Sequence, residues 1–190
     1  SASASVLEPF IRKGVKEIDL SADFRLNNSS EYESWYKTEH PCPQYLSDAV
    51  YGLPELHSVE ISSAKLIASP GCYATASILG LAPIVESGAL SGDIIIDAKS
   101  GVSGAGRSAS VKTNFSEVNE NASAYSVEGH RHLPEVIQEI ELLNKDKKLK
   151  TTMLTHLIPI TRGIIVSCYV NLENKGSGVY TQQEIKQIYK

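Results

Sequence analysis

Cysteine is scarce in this chain: Cys42, Cys72 and Cys168 are the only three in 190 residues, and no two of them form a CxxC pair. This spacing argues against a disulfide framework and a zinc knuckle, and it is typical of proteins in the reducing cytoplasm. Long apolar runs are missing too, since those at 94–96 and 164–166 fall far short of the about 20 residues that span a membrane. We therefore expect a soluble, cytoplasmic protein.

Basic clusters and leader-like segments are also missing. The chain carries 18 Lys and Arg against 22 Asp and Glu, which gives a net charge of -4 and a pI of about 5.7. This balance argues against a nucleic-acid-binding surface. Residues 1–5 lack the basic and apolar regions of a signal peptide. A chain of 190 residues can bury a substantial core in one or two domains.

The first part of the chain predicts alternating helices and strands. Apolar spacing and turn residues predict helices over 5–13 and 29–38, strands over 15–20 and 64–69, and an irregular connection over 40–54. Gly14 is a stop signal between the first helix and the first strand. A strand this close to the first residue indicates that other strands of a parallel sheet precede it, because a strand in such a sheet needs neighbours on both sides. We therefore expect that the beginning of the sheet is cut off.

The second part predicts a helix, a sheet and further helices. The helix after Cys72 has one apolar face, formed by Ala74, Ile78, Leu81, Ala82 and Val85. Pro83 is expected to separate the last turn of this helix. Residues 108–126 show no clear pattern. Other segments predict a buried strand over 93–99, helices over 133–143 and 181–190, and strands over 151–160 and 164–172 in a half-covered sheet of antiparallel type.

Cys72 is the first candidate catalytic residue. It follows an apolar strand and a Ser69-Pro70-Gly71 turn, at the predicted start of a helix. The free amides and the positive dipole end of a helix N-terminus favour a thiolate, which is the nucleophilic form of cysteine. The alternative is a small buried residue that happens to begin a helix.

The second candidate site lies in residues 128–135, where two histidines, an arginine and carboxylates precede a predicted helix. A metal site would need further ligands, and no other cluster supplies them, so no metal is predicted. An acid–base role is favoured: His132 or His130 accepts the thiol proton, and Glu135 orients the ring. One of the two histidines could instead be a surface residue that caps the helix.

The third candidate is the Gly-rich loop at residues 99–107, which ends in Arg107. Its glycines and guanidinium are suited to hold an oxyanion or a phosphate. The motif is weak by itself, because it has the spacing of neither a P-loop nor a GxGxxG fingerprint.

Together these motifs resemble the N-acetyl-gamma-glutamyl-phosphate reductase family of arginine biosynthesis, which is related to aspartate-semialdehyde dehydrogenase. Six segments in the family's order carry the resemblance: Asp19-Leu20-Ser21-Ala22-Asp23-Phe24-Arg25-Leu26, Val50-Tyr51-Gly52-Leu53-Pro54-Glu55-Leu56, Pro70-Gly71-Cys72-Tyr73-Ala74-Thr75, the 99–107 loop, Gly129 to Glu135, and Ile158-Pro159-Ile160-Thr161-Arg162-Gly163. The segments span nearly the whole chain.

The resemblance implies an α/β fold: the tail of a Rossmann-type sheet in residues 1–71, then a mixed or antiparallel sheet covered by helices in a catalytic and dimerisation domain, 72–190. It also implies NADPH-dependent reduction of an acyl phosphate to a semialdehyde through a thioester on Cys72. His132 is the first choice for acid and base, His130 the second, and Glu135 the orienting group.

The same resemblance implies the binding roles. The substrate is expected to contact Arg25, Arg107 and Ser100, and the NADP cofactor to contact Ser103, Gly104 and Gly106. A homo-oligomer is expected to form through the sheet of the second domain. Two alternatives stay open at this point, a Cys-His hydrolase or acyltransferase without hydride transfer, and the same reduction of a carrier-linked acyl phosphate.

The sequence departs from the family pattern at both ends. It lacks the Gly-rich strand–turn–helix that holds the dinucleotide phosphates, and it lacks the Gly/Ala-rich helix that returns to the nucleotide domain. We therefore expect this chain by itself to bind NADPH weakly and to turn over little.

Overall fold

The computed structural model describes residues 3–106, 108–144, 149–173 and 178–190. The chain divides into two compact units, Ser1–Thr75 and Ala76–Lys190. In the first, the helices and strands are α1 (Ser3–Arg12), β1 (Glu17–Asp19), α2 (Ser29–Tyr36), β2 (Ala49–Tyr51), α3 (Pro54–Ser63) and β3 (Leu66–Ala68), with a 3₁₀ turn at Pro43–Asp48. Helix α4 (Cys72–Glu86) begins in this unit and continues into the second.

The first unit is built on a three-stranded parallel sheet with the order β1-β3-β2. Both outer strands pair with β3 in the same register, since Glu17 and Ala49 both lie opposite Leu66. The core beside the sheet consists of buried Ala4, Phe24, Cys42, Leu46, Leu66 and Ala68, against which the α1 side chains Leu7 and Ile11 pack. The carboxyl ends of the strands therefore lie at one edge, the edge from which α4 begins.

The second unit contains β4 (Leu90–Ser100), the short helix α5 (Phe115–Val118), β5 (Ser123–Tyr125), α6 (Leu133–Leu143), β6 (Thr151–Leu157), β7 (Ile164–Leu172) and α7 (Gln182–Ile188). Its four-stranded sheet has the order β5-β6-β4-β7. Strand β4 is parallel to β6 and antiparallel to β7, and β5 is antiparallel to β6. The sheet is therefore mixed.

One face of this second sheet is buried and the other is open. Ile94, Ile96 and Ala98 of β4 are buried, whereas Ile95 between them is 45% exposed and lies opposite Tyr169, which is 59% exposed. The period of two along β4 is that of a strand with one covered face. The open face, defined by Ile95, Asp97, Lys99, Leu154, His156, Ile165 and Tyr169, combines apolar side chains with an Asp97–Lys99 ion pair.

The expected fold class is confirmed, with a parallel sheet followed by a mixed sheet. Helix α6 has the predicted bounds, and Gly14, at φ +73°, ends the turn after α1. The apolar face predicted for α4 is buried.

Several local expectations were wrong. Pro83 does not separate the last turn of α4, which runs on to Glu86, because the buried neighbours Ala82, Ile84 and Val85 hold this segment in place. Residues 93–99 do not form a fully buried strand, since Ile95 faces outward. The strands expected over 151–160 and 164–172 do not lie in a purely antiparallel sheet, because β4 lies between them and is parallel to β6.

Short or marginally amphipathic elements were missed. Strand β2 lies within the segment expected to be irregular, and α3 went unrecognised because none of its residues is buried, so no apolar period marks it. Residues 108–126 contain a 3₁₀ turn, α5 and β5, each of three or four residues. Among the described residues, no helix is both long and apolar enough to cross a bilayer.

Candidate active site

Cys72 is the first residue of α4. Strand β3 ends at Ala68, and the Ser69 N–H donates to the carbonyl of Asp19 at 2.8 Å, so the turn that follows is fixed to the end of β1. The Gly71 carbonyl accepts from the backbone N–H and from Oγ1 of Thr75, at 2.8 and 3.0 Å, and therefore opens the helix. The amides of this first turn have no acceptor within a helix, which makes the position suited to an anion.

The thiol of Cys72 is exposed, so the alternative of a small buried residue is wrong. The other two cysteines differ from it. Burial raises the pKa of the Cys42 thiol, and burial also raises the pKa of Cys168, to about 11. Cys72 is therefore the cysteine to which a solvent-borne reactant has access.

Arg25 is buried and holds the turn before Cys72. Its Nε donates to the carbonyl of Ser69 at 2.7 Å, and its Nη2 donates to the carbonyl of Leu20 at 3.1 Å. One guanidinium thus joins the segments that follow β1 and β3. Charge-assisted bonds of this kind are stronger than bonds between neutral groups, so the turn is firmly positioned.

The segment that carries Arg25 is itself anchored by buried polar groups. The Asp23 carboxylate accepts from the Ala4 N–H and the Tyr32 hydroxyl, both at 2.9 Å. His40 Nε2 lies 2.6 Å from the Asp23 carbonyl, while its Nδ1 accepts from the Cys42 N–H at 3.1 Å, which assigns the proton to Nε2. Burial and the bond to Asp23 raise the pKa of Tyr32. Sequence reasoning gave this network no role.

In the second unit, His130 and His132 lie together before α6. His132 is the residue that immediately precedes the helix, and its N–H donates to His130 Nδ1 at 3.1 Å, with the ring centroids 4.7 Å apart. Burial, together with the charge of Arg131, lowers the pKa of His130 to about 4. His130 is therefore neutral near pH 7, with its proton on Nε2, because Nδ1 is used as an acceptor.

Glu135 lies in the first turn of α6 and is fully buried, as is Glu139 one turn later. A carboxylate in that first turn is favourably placed with respect to the helix dipole. Gln138 Nε2 donates to Glu139 Oε1 at 3.1 Å. The structure thus brings His130, His132 and Glu135 onto one short segment, as the sequence motif implies.

The Gly-rich loop begins at the end of β4 and forms a 3₁₀ turn at Val102–Ala105. Ser103, Gly104 and Gly106 are exposed. Ser100 is buried, and its hydroxyl donates to the Gly101 carbonyl at 2.9 Å, so it supports the loop from below. A Cβ at Gly104 would lie 2.5 Å from Ser100 Oγ, which explains the need for glycine. Arg107 lies outside the described residues.

Metal ligands do not gather elsewhere in the part of the chain that the structure describes: no group of three or more His, Cys, Asp or Glu there could hold a metal ion.

Comparison with known families follows the two parts of the chain. Residues 72–190 match the family model described as the semialdehyde dehydrogenase dimerisation domain. The chain belongs to the semialdehyde dehydrogenase family. Residues 1–64 match the NAD binding domain model of the same family.

Curated relatives within this family are close in sequence. The N-acetyl-gamma-glutamyl-phosphate reductase of Dehalococcoides mccartyi is 46% identical over 187 residues, which cover 98% of this chain and 54% of that protein. The Clostridium novyi reductase is 49% identical over 177 residues, covering 93% and 51%. The resemblance stated from the sequence motifs is confirmed. The chain spans about half the length of the curated relatives it matches.

A solved structure supports the fold. The crystal structure of aspartate semialdehyde dehydrogenase II complexed with ASA from Vibrio cholerae aligns with a TM-score of 0.64 at 15% identity, covering 97% of this chain and 56% of that one. At this identity the likeness concerns the fold.

Proposed function

We propose that this chain carries the catalytic cysteine of an NADPH-dependent reductase that converts N-acetyl-glutamyl 5-phosphate to N-acetyl-glutamate 5-semialdehyde, a step of arginine biosynthesis. The observation that carries the proposal is the exposed Cys72 thiol at the first residue of a 15-residue helix. The names of relatives with 46% and 49% identity support the substrate.

In the proposed reaction, Cys72 Sγ attacks the acyl carbon of the substrate. The carbon–sulfur bond forms as the carbon–oxygen bond to phosphate breaks, which leaves a thioester and inorganic phosphate. NADPH supplies a hydride that reduces the thioester to a thiohemiacetal. The carbon–sulfur bond then breaks, the aldehyde leaves, and the thiolate of Cys72 is restored.

His132 is the proposed acid and base. It has to take the thiol proton before attack and exchange a proton with the tetrahedral oxygen, for which a pKa near neutrality is best. His130 is less suited, because its pKa of about 4 makes it a weak base and its Nδ1 is already an acceptor. Glu135 is the proposed orienting group, since it is buried in the first turn of the helix that His132 precedes.

The binding roles are also proposals. Arg25 and Ser100 are placed to support the site through backbone carbonyls, and they join Arg107 as candidate substrate-binding residues. The exposed loop residues Ser103, Gly104 and Gly106 fit a cofactor, because glycines let a ligand approach the backbone closely. NADP is proposed over NAD from the resemblance.

We also propose that residues 1–71 belong to the nucleotide-binding domain and 72–190 to the catalytic and dimerisation domain. Residues on the open face of the second sheet, such as Ile95 and Tyr169, are the proposed contacts of a homo-oligomer, because exposed apolar faces commonly meet a partner. The reducing cytoplasm is the proposed compartment, which suits three free cysteines.

The proposal is tested in the full-length protein that contains these residues. We expect NADPH oxidation that depends on the acyl phosphate and releases phosphate in equal amount, and a loss on the order of 10⁴-fold or more in kcat for Cys72→Ala, as for removal of other catalytic nucleophiles.

Cys168→Ala is the matched control and should retain activity, since that thiol has a pKa of about 11. Phosphate release without NADPH oxidation would instead indicate the hydrolase. A strong preference for a carrier-linked acyl phosphate would change the substrate while keeping the chemistry.

A further inference from the structure

The connection between β6 and β7 has no role in the reaction described so far, although its residues 158–163 form one of the six motifs. Four backbone hydrogen bonds fasten it to the Gly-rich loop, and one of them runs from the Ile158 N–H to the Ser100 carbonyl at 3.0 Å. Gly101 N–H donates to the carbonyl of Gly163 at 2.9 Å, Val102 N–H to that of residue 160 at 2.9 Å, and Ser103 N–H to that of residue 161 at 3.0 Å. These bonds lie on both sides of residue 162 and fix the backbone there.

Arg162 occupies that fixed position. A Cβ at Gly101 would lie 3.0 Å from the Arg162 nitrogen and 3.1 Å from its Cα, so the main chain of Arg162 lies directly against the Gly-rich loop. Only glycine allows so close an approach at position 101. Because the base of the side chain is held in place, less freedom is lost when its guanidinium binds a ligand.

The charge of Arg162 is available to a ligand. The side chain is exposed, and it makes no ion pair or hydrogen bond with any residue in the described ranges. Lys99, at the end of β4, differs because it forms an ion pair with Asp97. Of these two cations beside the Gly-rich loop, Arg162 is thus the one whose charge is not already matched.

Resting on the proposed function, we propose that Arg162 binds an oxyanion of the substrate from the side of the Gly-rich loop. The planar guanidinium matches both phosphate and carboxylate with two parallel hydrogen bonds. The proposed substrate carries a phosphate at its acyl end and a carboxylate at its amino-acid end. In the reverse reaction these two groups belong to separate reactants, inorganic phosphate and the semialdehyde.

The test measures the reverse reaction of the full-length enzyme, in which the semialdehyde, inorganic phosphate and NADP⁺ give the acyl phosphate and NADPH. For Arg162→Gln we expect a KM increase of about 10- to 100-fold, as for loss of a charged hydrogen-bonding partner. An increase for phosphate identifies the phosphoryl group, and an increase for the semialdehyde identifies the carboxylate. Arg162→Lys should lie in between, while Lys186→Gln, which removes an exposed charge on α7, should change neither KM.

A second measurement uses the unmodified protein and needs no turnover. Phenylglyoxal modifies accessible arginines, and peptide mass spectrometry follows Arg162 against Arg12, which is exposed and bonded to Glu8. We expect inorganic phosphate or N-acetyl-L-glutamate to slow modification at Arg162 several-fold and to leave Arg12 unchanged.

The outcomes separate the two proposals. The role of Arg162 is overturned if Arg162→Gln changes the KM for neither phosphate nor the semialdehyde. It is also overturned if neither anion slows the modification of Arg162. If the protein shows no phosphate-dependent NADP⁺ reduction at all, the proposed function fails, and protection from phenylglyoxal still decides whether Arg162 holds an anion.

Discussion

The two units bury histidine in different surroundings. In the first unit, both ring nitrogens of His40 form hydrogen bonds with the backbone, one of them with the carbonyl of Asp23. The Asp23 carboxylate in turn accepts from the Tyr32 hydroxyl, so the hydrogen bonds form a closed network. In the second, His130 and His132 share one bond from backbone to ring, and both rings are only partly buried. A closed network stabilises a fold, whereas a partly open pair of rings can exchange protons with a bound molecule.

Burial alone therefore does not mark a functional histidine in this protein. His40 is the more deeply buried of these residues, yet its ring has no polar atom left for a substrate. If the first network serves stability and the second pair serves catalysis, substitutions in the two should have different effects.

The largest effect is expected at His132. In the full-length enzyme, His132→Gln should lower kcat by about 10² to 10⁴-fold, the usual contribution of a general acid or base. His130→Gln should lower kcat less than about 10-fold, because His130 is neutral and already bonded. Steady-state kinetics across pH measures both. A larger loss for His130 than for His132 would reverse the assignment.

The next effect concerns stability in the first unit. Asp23→Ala leaves the buried Ala4 N–H and Tyr32 hydroxyl without their acceptor, and we expect a loss of about 3 kcal/mol in the free energy of unfolding. Trp35 is the single tryptophan and lies on α2, so its fluorescence during urea unfolding reports on this unit.

Asp97→Ala is the control for this change. Asp97 is a carboxylate on the open face of the second sheet with 26% of its side chain exposed, and its partner Lys99 can turn to solvent, so its removal should cost less than about 1 kcal/mol. Equal losses for the two variants would remove the distinction drawn between the units.

The smallest effect is a pH dependence in the second unit. The pKa of His130 is about 4 in the folded state and about 6.5 when unfolded, so the unfolded chain binds the proton first as pH falls. Stability contributed by the neutral ring is present above pH 6.5 and is lost between about pH 6.5 and 4. Because the ring is partly exposed, we expect about 1 to 2 kcal/mol.

The His130→Gln variant has no titrating ring at this position. Its free energy of unfolding should therefore change less with pH over the same range. The measurement compares urea unfolding of the two proteins by circular dichroism at pH 7 and pH 4.5. If the wild-type protein loses no more stability than the variant, the folded surroundings of the His130 ring do not disfavour its protonation.

The sequence predicts the longer elements of this fold well. Amphipathic helices such as α6, and the turn that begins α4 at Cys72, are marked by local periodicity and by Pro and Gly. Strand β2 has only three residues and exists because β3 pairs with it. Position 52, next to it, requires glycine, because an added Cβ would lie 3.0 Å from the Ala68 carbonyl oxygen. Such tertiary requirements leave no local pattern.

The candidate site was predictable to a similar extent. Cys72, His130, His132 and Glu135 stand in compact motifs, so sequence reasoning could propose them. The burial of Ser100 beneath the loop, where its hydroxyl donates to the Gly101 carbonyl, was not foreseen. The bonds between residues 101–103 and 160–163 were not foreseen, since they join segments far apart in the chain.

Strand β7 has a bonded neighbour on one side only within the described sheet, where it extends for nine residues beside β4. The opposite edge of the sheet is formed by β5, which has three residues. A long edge strand offers a row of unpaired amides and carbonyls to any extended chain that approaches, and Tyr169 adds an apolar surface beside it. At high concentration, unwanted strand addition should therefore begin at β7 and not at β5.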